Sequence, residues 1–411
     1  MPPAAPDVPQ GAEILIERIG HLGDGLASSP EGPILVPYTA PGDRVVHDNG
    51  AWKIAHRGPN HVSPPCPHFG TCGGCSLQHV PADLYRASKR EWVVAALARQ
   101  GIEVPVMPII MIVPQSRRRA TLTIQKESGD ATIGFQERRT RRIVAVPDCR
   151  ILRPRILSAL DAIATLVGAR LKDRMTAMVA VTEAGNGLDV AVEGPSARAL
   201  DAGEIPLARS AGMVRLSWNA ETLMSLEVPW LSFSGTRVEM PPGAFVQAAA
   251  ESERALVALV EAALPGARAI ADLYAGLGTF TFALARRAKV FAFERDAAAC
   301  ESLARAVRAA EGLKPVVVER RDLVRRPLLE RELAKFDAAV IDPPRAGAEA
   351  QARQLAGSRI SRIAYVSCDP ASFARDARIL VAGGYALARV TPVDQFVWSH
   401  HVELVGAFER A

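Results

Sequence analysis

Two segments in the C-terminal part of this 411-residue chain place reactive side chains directly after apolar runs. Tyr365-Val366-Ser367-Cys368-Asp369-Pro370 puts a thiol at the end of what reads as a β-strand, and Ile341-Asp342-Pro343-Pro344-Arg345 puts a carboxylate and a rigid Pro-Pro step at the end of another. A cysteine inside such a run is usually core packing. At the carboxyl end of a strand, where open α/β sheets bind their ligands, it is a candidate nucleophile. A third strand ends in Asp272-Leu273-Tyr274-Ala275-Gly276-Leu277-Gly278-Thr279, where glycines allow a sharp turn and close approach of backbone to a ligand. A dinucleotide fingerprint needs a third glycine at position 281, which is Thr281. The following strand ends in Glu294, suited to accept hydrogen bonds from ribose hydroxyls. With no phosphate-cradling lysine, a nucleoside cofactor without phosphates fits best, and S-adenosylmethionine is the obvious one.

A second constellation is rich in thiols. Cys66, Cys72 and Cys75 have Cys-x5-Cys-x2-Cys spacing, and Cys149 follows far along the chain. Four soft thiolates suit either tetrahedral zinc or an iron–sulfur cluster. A zinc ribbon usually supplies two Cys-x-x-Cys knuckles, and this chain has one. Cys300, on an Ala-rich helix, reads as packing, and so do His68 and His79. Arg117 to Arg119, then Arg138, Arg139, Arg141 and Arg142, fall on neighbouring strands. Each run alone reads as a solvated face, but together they could form one stripe for a phosphate backbone.

These side chains need a scaffold of more than one core, as the length implies. The chain is 49% hydrophobic and 23% charged, a globular composition, and its net charge of +5 only weakly favours a nucleic-acid partner. Its longest apolar run, Val106 to Val113, falls far short of the roughly 20 residues of a membrane helix. The first residues carry no export signal, so a cytoplasmic protein with reduced cysteines and no membrane partner is expected. Residues 1–11 read as a Pro-rich tail. Short alternating strands and Pro-Gly turns over residues 12–58 predict an OB-like barrel. Residues 59–240 read as a central α+β domain, with a helix from about Ala82 to Arg99 that could pack on the next domain and a β-hairpin over 117–146. From 241 to 411, strands alternate with Ala-rich helices, the pattern of a doubly wound, Rossmann-like α/β domain.

The segments DLYAGLGTFTFALA, FER, IDPPRAG, YVSCDPASFARD and SHHVELVGAFER, in that order, resemble the RNA uracil-C5 methyltransferases, above all the bacterial 23S ribosomal RNA enzymes. The likeness covers nearly the whole chain. It implies a class I methyltransferase domain, a TRAM module in the N-terminal barrel, and a 4Fe–4S cluster on Cys66, Cys72, Cys75 and Cys149. It also implies that Cys368 adds to C6 of uracil and that Glu403 of His401-Val402-Glu403 removes the C5 proton. Gln247, Tyr274, Gly276, Thr279, Glu294, Asp322 and Asp342 match cofactor-contacting positions, and Arg345 helps shape the pocket. The pattern departs at Ala249, Thr279 and Asp322, where asparagine is usual, and at Trp398-Ser399-His400.

The implied partner is RNA, with 23S rRNA ahead of transfer RNA, acted on by a monomer. A radical S-adenosylmethionine enzyme would need Cys-x3-Cys-x2-Cys. A cytosine-C5 enzyme would carry a second cysteine where Pro344 stands. A non-catalytic RNA-binding or ribosome-assembly factor is the remaining alternative, and intact Cys368, Glu403 and Asp342 speak against it.

Overall fold

The computed structural model describes residues 12–48, 50–195 and 198–410. The Pro-rich tail expected at 1–11 lies outside them. Six short strands between Glu13 and His56 form two three-stranded sheets around Ile16, Ala27, Ile34, Val36 and Val45. One buried carboxylate, Asp24, binds Arg138 of the central hairpin through two hydrogen bonds of 2.5 and 2.9 Å, tying this unit to the next.

The basic hairpin expected over 117–146 is the edge of a larger sheet. Its strands Arg119–Glu127, Asp130–Gln136 and Ile143–Ala145 belong to a seven-stranded sheet that continues through Thr176–Glu183, Leu188–Glu193, Met213–Trp218 and Glu221–Ser225. Helix Pro154–Gly168 covers one face with Ile156, Leu160, Ile163 and Val167, an apolar stripe at helical spacing.

The C-terminal sheet has the spatial order Val316–Arg320, Lys289–Glu294, Ala269–Leu273, Ala338–Ile341, Arg362–Ser367, Glu403–Glu409, Ala386–Val393. The first five strands are parallel, and their reactive residues all follow the same end. Glu403–Glu409 is inserted antiparallel beside Arg362–Ser367, with Ser367 opposite Leu404. That register sets Glu403, which begins its strand, next to Cys368, which follows the end of its own. The glycine turn is fixed by sterics: Gly276 and Gly278 have φ of 55° and 95°, and a Cβ at Gly278 would meet Phe282 and Leu303 at under 3 Å.

The boundary read at residue 240 does not separate the packing. Helix Ala82–Ala98 buries Tyr85, Trp92, Val93, Ala96 and Leu97 in one core with Tyr365, Phe373, Val390 and Phe408. Residues 105–110 then hydrogen-bond along the edge strand through Met107 N–H to Val390 O and Ile110 N–H to Pro392 O. A segment preceding the central sheet in sequence thus belongs to the C-terminal core.

Candidate active site

Three strand ends and one loop converge. Ser367 is buried and Cys368 half-buried, and Asp369 caps the following helix, its Oδ1 accepting from the N–H groups of Ala371 and Ser372 at 3.0 and 2.9 Å. Burial, then the charges of Glu403 and Asp342, push the Cys368 thiol up to about 12, so it holds its proton at neutral pH in the free protein. Arg345, beside Asp369 at 3.5 Å and largely exposed, opposes that shift.

Glu403 is 3% exposed, and burial with the nearby Asp342 raises its carboxyl to about 8. Asp342 is raised to about 7 by burial and by Asp272. The carboxylates are bridged by amides. Gln247 donates through Nε2 to Asp342 Oδ2 at 3.2 Å, and Gln395 donates through Nε2 to Glu403 Oε2 at 2.9 Å and to Gln247 Oε1 at 2.8 Å. A thiol beside a carboxyl whose own titration lies near neutral pH suits addition to an electrophilic carbon followed by proton removal.

The other half of the cleft lies across the glycine turn. Tyr274 sits at φ 65°, and its hydroxyl is pushed up to about 12 by burial and then by the charges of Asp376, Asp322 and Glu294. Glu294 accepts from Gly276 N–H at 2.9 Å and from the N–H groups of Arg295 and Asp296 at 2.7 and 2.8 Å. It organises the turn as well as facing it. Asp322 Oδ1 caps its own turn through Val324 and Arg325 N–H, and Thr279 is half-buried at the helix start. Asp272 is a site residue that sequence reasoning missed, although it opens the glycine motif. It is fully buried, one oxygen accepts from Thr281 Oγ1 at 2.5 Å, and the other has no partner.

Also missed was the support behind Glu403. The segment 394–401 is held by Lys89, which pairs with Asp394 and donates to the carbonyls of Phe396 and His401. Tyr85 donates to Asp394 and accepts from Trp398 N–H at 2.8 Å, while Trp398 O accepts from Ser76 and Leu77 N–H of the cysteine loop.

Cys66, Cys72, Cys75 and Cys149 line one small cavity with Phe69, Phe135, Val146 and Ile151. All four are free thiols, and burial pushes Cys72 to about 11 and Cys75 to about 12. Among the described residues no group of three or more His, Cys, Asp or Glu is arranged to hold a metal ion.

The arginines do not form the single stripe that their spacing suggested. Arg118 is buried in a 2.5 Å pair with Glu253, Arg138 is held by Asp24, and Arg142 binds Glu137. Arg117 lies 5.3 Å over Phe396, and Arg119 5.3 Å over the exposed Phe245. Arg139, largely exposed, lies 3.8 Å from Asp24.

Comparison with known proteins shows the family to which the chain belongs. Residues 232–410 match a family model described as tRNA (Uracil-5-)-methyltransferase. An uncharacterized RNA methyltransferase of Caulobacter vibrioides is 43% identical over 97% of this chain and 100% of its own. The 23S rRNA (uracil(1939)-C(5))-methyltransferase RlmD of Chromohalobacter salexigens is 34% identical, over 94% of this chain and 87% of its own. In fold, the chain is similar to the Pyrococcus abyssi tRNA (uracil-54, C5)-methyltransferase in complex with S-adenosyl-L-homocysteine. The TM-score is 0.72 at 23% identity, covering 97% of this chain and all of that one.

Proposed function

Since this chain belongs to the RNA uracil-C5 methyltransferases, S-adenosylmethionine-dependent enzymes, we propose that it methylates C5 of a uracil in 23S rRNA, with Cys368 as nucleophile and Glu403 as base. The observation that carries the roles is the register that sets Glu403 beside Cys368 at the ligand-binding end of the sheet. C5 of uracil is a poor nucleophile. The Cys368 thiol gives its proton to solvent as Sγ bonds to C6, and the electron pair of the C5–C6 double bond passes to C5 and the adjoining carbonyl. Bound S-adenosylmethionine supplies an electrophilic methyl group. Glu403 then takes the C5 proton, the C6–S bond breaks, and the double bond returns. The cleft residues fit that cofactor: Gly276 and Gly278 open the turn, Glu294 and Asp322 offer carboxylate oxygens, Gln247, Tyr274, Thr279 and Asp342 border it, and Asp272 has an unpartnered buried oxygen.

The four thiols that share one cavity suit a 4Fe–4S cluster held by Cys66, Cys72, Cys75 and Cys149. Four cysteine ligands would leave no iron open for substrate, so such a cluster would serve structure or RNA positioning, holding the loop whose Ser76 and Leu77 N–H groups bind Trp398 O. The N-terminal unit is read as a TRAM-type RNA-binding module. Its support is position: Asp24 binds Arg138 and contributes to the field at His400, directly before the His401-Val402-Glu403 segment. A cytoplasmic site of action follows from the substrate.

Ribosomal RNA is favoured by the 34% identical 23S enzyme, transfer RNA by the family description and the archaeal fold likeness. Mapping 5-methyluridine in both RNAs from cells with and without this protein decides between them. Cys368→Ala should abolish methylation, whereas Glu403→Gln should accumulate a denaturant-resistant, methylated enzyme–RNA complex. Normal turnover by Glu403→Gln without that complex would refute the role of Glu403.

A further inference from the structure

Resting on the reading of Glu403 as base, we infer that Gln395 is a positioning residue that fixes which oxygen of Glu403 receives the C5 proton and keeps that carboxyl ready to accept it. Gln395 is 4% exposed, and both polar atoms of its amide are engaged. The two Nε2 hydrogens go to Gln247 Oε1 at 2.8 Å and Glu403 Oε2 at 2.9 Å, and Oε1 accepts from Ser252 Oγ at 2.6 Å. A flipped amide would set its carbonyl against a carboxylate and another carbonyl, so the neighbours assign its orientation.

The clamp is itself held from behind. Ser252 stands in the first turn of helix Ala250–Ala263, and Arg118 Nε donates to Gln247 O at 3.2 Å while pairing with Glu253 of the same helix. Ala249, buried two residues past Gln247, offers no polar side-chain atom, which leaves Gln395 as the amide that reaches both sides. Because Gln395 occupies Oε2 of Glu403, the incoming proton is directed to Oε1, which takes no hydrogen bond among the described residues.

The amide also sets the proton affinity. Around Glu403, burial and Asp342 on a neighbouring strand end oppose its ionisation, while the Cys368 thiol on the next strand keeps its proton and faces it uncharged. Gln247 and Ser252 are neutral, and Arg345 lies out towards solvent. An N–H donor to the ionised carboxyl is the counterweight, and its removal shifts Glu403 further up.

The test uses full-length Gln395→Met and Gln395→Glu with 23S rRNA from cells lacking the protein. In Gln395→Met the single proton of Ser252 Oγ can turn to Ala249 O at 2.8 Å, so no hydroxyl is orphaned there. Single-turnover methyl transfer should change only a few-fold. The acid limb of steady-state kcat should move up by about one pH unit in Gln395→Met, from loss of a hydrogen bond to a charged group. In Gln395→Glu, where a second carboxyl faces Glu403, it should move further. In both variants the methylated covalent complex should accumulate at low pH and drain as pH rises. Wild-type limbs without that complex would overturn the inference. Should Gln395→Met fail to fold, Gln395→Glu alone decides. Glu403→Gln, run in parallel, separates the two claims: if it traps the complex while the Gln395 variants behave as wild type, only the role of Gln395 falls. If Glu403→Gln turns over normally, the base assignment falls with it.

Discussion

Lys89→Met should cost this protein about 3–5 kcal/mol, and Lys89→Met combined with Asp394→Asn should recover part of that loss. Both side chains of the pair have no exposed surface. Removing the ammonium leaves Asp394, among the described residues, with the Tyr85 hydroxyl alone, at 2.8 and 3.0 Å, to offset a charge that water cannot reach. It also takes the Lys89 Nζ bond from the His401 carbonyl and from the Phe396 carbonyl, which keeps only its bond from Ser399 N–H at 3.0 Å. In the double variant no charge is stranded, and the amide oxygen introduced by Asp394→Asn can still accept from Tyr85. The two substitutions should therefore be non-additive by roughly 1–3 kcal/mol. Urea titration is the suitable assay, because guanidinium would screen the charges, and the midpoint should fall with little change in slope. The catalytic effect should exceed the stability effect. Lys89 holds the loop that presents Gln395 and Glu403, so turnover should drop even at temperatures where the variant is folded. A Lys89→Met protein within about 1 kcal/mol of wild type, with the double variant no better, would refute the reasoning.

Two further outcomes separate arginines and thiols by role. Arg118→Met should destabilise the fold by roughly 3–5 kcal/mol through the stranded Glu253, and leave the salt dependence of RNA binding unchanged. Arg141→Glu, on the exposed turn, should flatten the log–log salt slope by about one unit or less per lost phosphate contact; equal slopes for both variants would show that neither touches RNA. Protein purified without air should be brown and contain iron, and Cys149→Ala should lose both colour and stability; stoichiometric zinc without iron would exclude the cluster.

The strand-end chemistry was legible because it is local. Cys368, Asp342 and the glycine turn each close an apolar run, and parallel strands deliver all such ends to one edge. Glu403 was reached only through resemblance, since its adjacency to Cys368 depends on the final strand entering antiparallel between two others, a choice that no local pattern encodes. The arginine stripe failed for a reason present in the sequence itself. If the strand reading is carried back from Arg119 through Arg117, alternation of faces sets Arg118 opposite to its two neighbours, and a buried arginine needs a partner such as Glu253. Lys89 looked like one more charge on an amphipathic helix, because its partner Asp394 lies 305 residues away. Gln395 carried a weaker clue: an amide beside Asp394 in the stretch from Val390 to Val397, where valines and Phe396 surround it, must find partners if it is buried. Which partners it finds is a property of four converging segments, and those partners turn a buried glutamine from a packing oddity into the group that can set the proton affinity of the base.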